Sequence, residues 1–128
     1  MRLIYSCLVL RAFFELVHYE IINRIFGFKM IHRQVVRQPV NPRPPSLGHT
    51  GLICDAVTLA ACFYWKPVLC LQRSVAATRL LRKHGIPAQL VIGYRPSPFF
   101  SHAWVEVDGR VVNDSPGYKK RLQVLCTA

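Results

Sequence analysis

The chain has 128 residues, 52% of them hydrophobic and only 18% charged, which fits one globular domain with a sizeable core and excludes a disordered or low-complexity polypeptide. Its charge leans one way, with 17 Lys and Arg against 6 Asp and Glu for a net +11. The basic residues are dispersed from Arg2 to Arg121 without a nucleic-acid motif or stacking platform, so a solvated basic surface, or a face for an acidic partner, is expected and no nucleic acid is implied.

At the amino terminus "LIYSCLVL" imitates the apolar part of a signal sequence, but Arg11, Glu15 and Glu20 follow where a small-residue cleavage site belongs. The run is also far short of the roughly 20 apolar residues that span a bilayer. A soluble, cytoplasmic protein that does not use a membrane is expected. Leu3, Cys7, Leu10, Phe14, Val17 and Ile21 step by four and three, the mark of a helix with one apolar stripe. Glu20 and Arg24 support it at i,i+4, and Gly27 is its expected end.

Residues 38–51, "QPVNPRPPSLGHTG", hold four prolines and read as a linker or extended strap, because proline denies both helix and ladder bonds. Thr50 can cap a second helix whose buried face is Leu52, Ile53, Ala56, Val57, Ala60, Ala61 and Tyr64. After Pro67 a third helix is expected to open at or near Cys70 and to end at Gly85. It carries Val75, Ala76, Leu80 and Leu81 inward and Arg73, Arg79, Arg82 and Lys83 largely outward. "AQLVIGY" reads as a short buried strand, "PSPFFS" as a loop, and "HAWVEV" with "RVVND" as a hairpin. Helices first and a small antiparallel sheet last make an α+β domain.

Five cysteines, Cys7, Cys54, Cys62, Cys70 and Cys126, fit neither a zinc pattern nor a disulfide framework, and a reducing compartment follows. Cys70 stands where a helix begins, a setting in which unpaired amides and the helix dipole favour a thiolate and can later hold an oxyanion. The other four lie within helical patterns or terminal segments. A thiolate nucleophile needs a base within hydrogen-bond reach, and the base needs an orienting carboxylate or amide. His102 and Asp114 flank the hairpin and are the candidates. With a two-residue loop at Asp108-Gly109, Val107 faces Arg110, and His102 and Asp114 point to opposite sides of the sheet. With a three-residue loop, Glu106 faces Arg110, and His102 and Asp114 stand opposite each other on one side. Both loops are common, and the sequence does not choose.

"CLQRSVAATRLLRKHGIPAQLVIGY" followed by "SHAWVEVDGRVVND" resembles the transglutaminase-like cysteine peptidases of bacterial lasso-peptide biosynthesis, in their short stand-alone form. The resemblance covers roughly Leu52 to Asp114; the tail "SPGYKKRLQVLCTA" stands outside it. It implies a papain- or transglutaminase-like core with N-terminal helices packed on a small antiparallel sheet. It divides a single domain, 1–128, into a helical region (1–37), the strap (38–51) and the catalytic core (52–128). It assigns the nucleophile to Cys70, the base to His102 and the orienting acid to Asp114, with no metal or cofactor. The implied activity is removal of the leader from a ribosomally made precursor peptide, delivered on a leader-recognition protein, with a lasso cyclase acting on the freed core. Trp65 and Gln72 are candidates for a second oxyanion donor. The same three residues also suit acyl transfer to an amine, as transglutaminases perform it, and the scaffold suits a non-catalytic peptide-binding adaptor.

Overall fold

A computed structural model describes residues 2–40, 49–113 and 122–128. In chain order the elements are α1 (Arg2–Phe26), α2 (Phe28–Arg37), α3 (His49–Cys62), α4 (Cys70–Lys83), β1 (Ala88–Pro96), β2 (Phe99–Val107), β3 (Arg110–Val111) and β4 (Gln123–Thr127). The strands form one antiparallel sheet in the order β3-β2-β1-β4, so the expected α+β arrangement is observed. Gly27, at φ 80, ends α1, and Gly85, at φ 81, follows α4; both adopt the left-handed backbone that costs glycine least.

The core lies between the helices and one face of the sheet. Ile53, Ala56, Val57 and Ala60 of α3 meet Ala76, Ala77, Leu80 and Leu81 of α4 and Leu8, Ala12 and Leu16 of α1. A second cluster joins Ile31 and Val35 of α2, Val75 of α4, Leu90 of β1 and Ala103 of β2. Alternation along the strands turns Leu90, Ala103 and Val105 toward the helices and Val91, Trp104 and Val111 away from them, where Leu122 covers the indole. The inward faces expected for α3 and α4 are thus observed.

Four expectations need correction. α1 has two apolar sides, not one, and Leu3, Leu10, Phe14 and Ile21 lie on the side outside the core. They are at least half exposed, and the buried side of α1 is Leu8, Ala12 and Leu16. Arg82 is buried, not outward: its guanidinium donates to the Ala88 carbonyl at 2.9 Å and to the Val35 carbonyl. "PSPFFS" is no loop, because β2 starts at Phe99 and Ser97-Pro98 alone makes the turn, through a cis peptide bond. Thr50 does not cap α3, which already includes it. The tail also supplies β4, paired to the free edge of β1.

Candidate active site

Cys70 is the first residue of α4 and is half-buried. Leu69 caps the helix without a side-chain hydrogen bond, and intrahelical bonding starts with the Arg73 amide on the Leu69 carbonyl at 3.0 Å. The amides before Arg73 therefore form the donor-rich end that a helix leaves unpaired. Of the other thiols whose side chains are described, none stands at the start of a helix. Cys54 is buried within α3, and burial, followed by the charge of Asp55, pushes its thiol up to about 11. Cys7 and Cys62 are exposed.

His102 lies in β2 opposite Gly93. Its ring is half-buried and stacks between its own-strand neighbours, 6.2 Å from Phe100 and 6.3 Å from Trp104. The Trp104 indole is fully buried and donates to Glu106 Oε2 at 2.8 Å. That ring lies across Gly93: a Cβ there would be 2.6 Å from Trp104 Cη2. Gly93 and Glu106 thus fix the aromatic floor against which the imidazole stands.

The relation of Cys70 to His102 follows from how α4 crosses β2. Ser74 Oγ donates to the Ala103 carbonyl at 3.1 Å, and Arg82 reaches Ala88, which pairs with Val107. The helix and the strand therefore run in the same direction. Cys70 is one turn ahead of Ser74, about 6 Å along the helix axis, and so stands at the Ser101–His102 end of the strand. It packs there on the cluster that includes Ala103, on the helix side of the sheet and with Tyr19 of α1 on the same cluster, whereas the His102 ring stacks with Trp104 on the opposite side. The Tyr19 hydroxyl is pushed up by its burial and then by the negative charge that a Cys70 thiolate places beside it. No local pattern in the sequence relates α1 to Cys70, so Tyr19 could not be picked out from it.

The hairpin has the two-residue loop. Asp108 at φ 53 and Gly109 at φ 78 make the turn, and Val107 pairs with Arg110 and Glu106 with Val111. The three-residue register, with its Glu106–Arg110 pairing, is not the one adopted. β3 ends at Val111, but the Val112 amide still donates to the Val105 carbonyl at 3.0 Å, so the two-residue register, the one in which a continued ladder turns positions 102 and 114 to opposite sides of the sheet, reaches Val112. The Asn113 side chain takes the place of a strand: its Oδ1 accepts from the Val105 amide at 2.8 Å, and its Nδ2 donates to Ser74 Oγ at 3.1 Å. Ser74 and Asn113 clamp the first turn of α4 to the edge of β2, a link that no spacing in the sequence announced. Asp114, the third site residue expected, lies outside the described residues.

Neither candidate oxyanion donor is placed for that role. The Gln72 amide is buried and donates to the Leu16 carbonyl of α1 at 3.0 Å, while Trp65 is 62% exposed and stacks on Tyr64. Among the described residues no three His, Cys, Asp or Glu side chains are grouped to hold a metal ion, and no helix is long and apolar enough to cross a membrane.

The family model of the transglutaminase-like superfamily matches residues 14–127, and the chain belongs to that superfamily. It is similar to the microcin J25-processing protein McjB of Escherichia coli, with 50% identity over 56 residues. The similar stretch is 44% of this chain and 27% of that protein, so the chain spans well under half of its curated relative. No solved structure matches it.

Proposed function

We propose that this chain is a cysteine peptidase that removes the leader from a lasso-peptide precursor, with Cys70 as nucleophile, His102 as base and Asp114 as its orienting acid. The observation that carries the reading is the placement of an uncapped, cysteine-headed helix at the His102 end of β2, in a chain similar to a microcin J25-processing protein. Cys70 Sγ, its proton passed to His102, attacks the carbonyl at the leader–core junction. The first amides of α4 hold the oxyanion, the bond to nitrogen breaks, and His102 returns the proton to the core amine as it leaves. The leader remains as a thioester on Cys70. Water, deprotonated by His102, then hydrolyses that thioester and restores the thiol. Asp114 keeps the imidazole in the tautomer that faces the sulfur and stabilises its charged form. The leader is delivered by a recognition protein, and a cyclase acts on the freed core.

The test is to incubate the chain with the precursor, with and without the recognition protein, and to weigh the products. Free leader and free core support hydrolysis. A covalent amine adduct would mean acyl transfer, and unchanged precursor that still binds would mean an adaptor. Cys70→Ala and His102→Ala are each expected to lower cleavage by roughly a thousandfold or more. Cleavage by Cys70→Ala at the parent rate would overturn the assignment.

A further inference from the structure

α1 is apolar on two sides, and the described residues cover only one of them. Leu8, Ala12 and Leu16 pack inward, while Leu3, Leu10, Phe14 and Ile21 are 79%, 58%, 63% and 50% exposed. With exposed Cys7 and half-buried Val17 they keep the alternating four-and-three step, a mean period of about 3.5 residues that holds a seam against a second helix; a solvated face carries polar residues there.

α3 packs against α1, and the residues that follow α3 stay on α1 as well, Tyr64 and Trp65 meeting Phe13 and Lys66 pairing with Glu20. Between the two helices runs a groove of about 290 Å³, lined by Tyr5, Val9, Leu10 and Phe13 of α1 and by Leu59 and Phe63 of α3. Phe63 stands at its rim, 73% exposed. Seam and groove share Leu10 and form one continuous apolar surface.

Charge selects what covers it. Both carboxylates of α1 are engaged within the chain, Glu15 by Arg79 and Lys83 and Glu20 by Lys66. Among the described side chains, the charges that α1 turns outward are Arg11 and Arg24, against a single exposed acid on α3, Asp55, and a whole-chain charge of +11. A second copy of the chain would bring the same positive excess to the contact. An acidic helix would be drawn to it.

We propose that the α1–α3 groove and the outer seam of α1 receive one amphipathic helix of an acidic partner protein, its apolar side chains entering the groove and its flanking carboxylates meeting Arg11 and Arg24. The surface uses none of Cys70, His102 or Asp114, so it stands or falls apart from the peptidase reading.

The test is fluorescence anisotropy with a labelled helical peptide of about three heptads, Leu at a and d and Glu at e and g, titrated with the full chain. A second peptide carries Lys in place of Glu. The Glu peptide is expected to bind about tenfold more tightly than the Lys peptide, and its affinity to fall about tenfold in Phe63→Asp and in Leu10→Asp. Both side chains are exposed, and circular dichroism identical to the parent establishes that the variants fold; Phe63→Ala and Leu10→Ala replace any that do not, with the same direction of effect. Equal binding of the two peptides, no binding, or binding that these variants leave unchanged would overturn the proposal. So would self-association in the ultracentrifuge that Phe63→Asp abolishes, which would make a second copy the occupant. Binding to anionic phosphatidylglycerol vesicles that the same variants abolish, with no peptide binding, would overturn it in favour of a lipid surface.

Discussion

Gly93 and Asn113 do more for the site than their sizes suggest. Gly93→Ala forces a Cβ to within 2.6 Å of the Trp104 ring, the ring on which His102 stacks. We expect a loss of about 1–3 kcal/mol in urea unfolding, the usual result of overpacking, together with slower leader cleavage. Parent-like stability would show that the indole can move freely. Asn113→Ala removes the acceptor from the Val105 amide and a donor from Ser74 Oγ. It is expected to cost about 1–3 kcal/mol and to speed hydrogen exchange at the Val105 amide; unchanged exchange would contradict the clamp. The places of Cys70 at a helix start and of His102 in a strand were legible in the sequence, from the Pro67 break and from the alternation of the hairpin. The clamp was not, because the loop at Asp108-Gly109 admitted two registers and only the left-handed backbone at both residues chose between them.

At the scale of elements, a buried carboxylate holds α1 to α4. Glu15 accepts from Arg79 Nε at 2.8 Å and from Lys83. Burial alone would raise this carboxyl, but the two cations hold it below its usual value. A folded-state pKa below the unfolded one stabilises the fold fully above the unfolded value, near 4.5, and that contribution is lost as the pH falls further through the folded value. Unfolding followed from neutral pH into acid should therefore show a loss of stability below this point, which Glu15→Gln shallows while costing about 1–3 kcal/mol at neutral pH. A variant with the parent's acid slope would contradict the assignment. The inward faces of α3 and α4 could be read from their periodicity, since each helix has one apolar side. α1 has two, so the period of its stripe carried no information about which side the chain would cover. Arg82 misled for a related reason: its long stem and planar head fit a buried site when two carbonyls, here of Ala88 and Val35, receive it. β4 left no trace in the sequence, because five residues without clear alternation gain their strand only from the open edge of β1.

For the whole molecule, the crossing of α4 over β2 decides at which end of the strand Cys70 stands. α4 follows β2 in direction, so the residue that opens the helix comes to the end of the strand where the histidine stands. The antiparallel sheet after a helical half, and the helix that starts at Cys70, were expected from the sequence. The crossing of helix and strand was not, because it depends on contacts between residues some thirty positions apart, such as Ser74 with Ala103. The central claim is that the sulfur of Cys70 carries the acyl group. It is tested most directly by quenching the reaction with precursor in acid and weighing the intact protein. The account predicts a species heavier than the free chain by the leader less one water, mapped to Cys70 by peptide sequencing and missing from Cys70→Ala. Cleavage that proceeds without any such adduct in Cys70→Ala at the parent rate, or an adduct mapped to another residue, would contradict it.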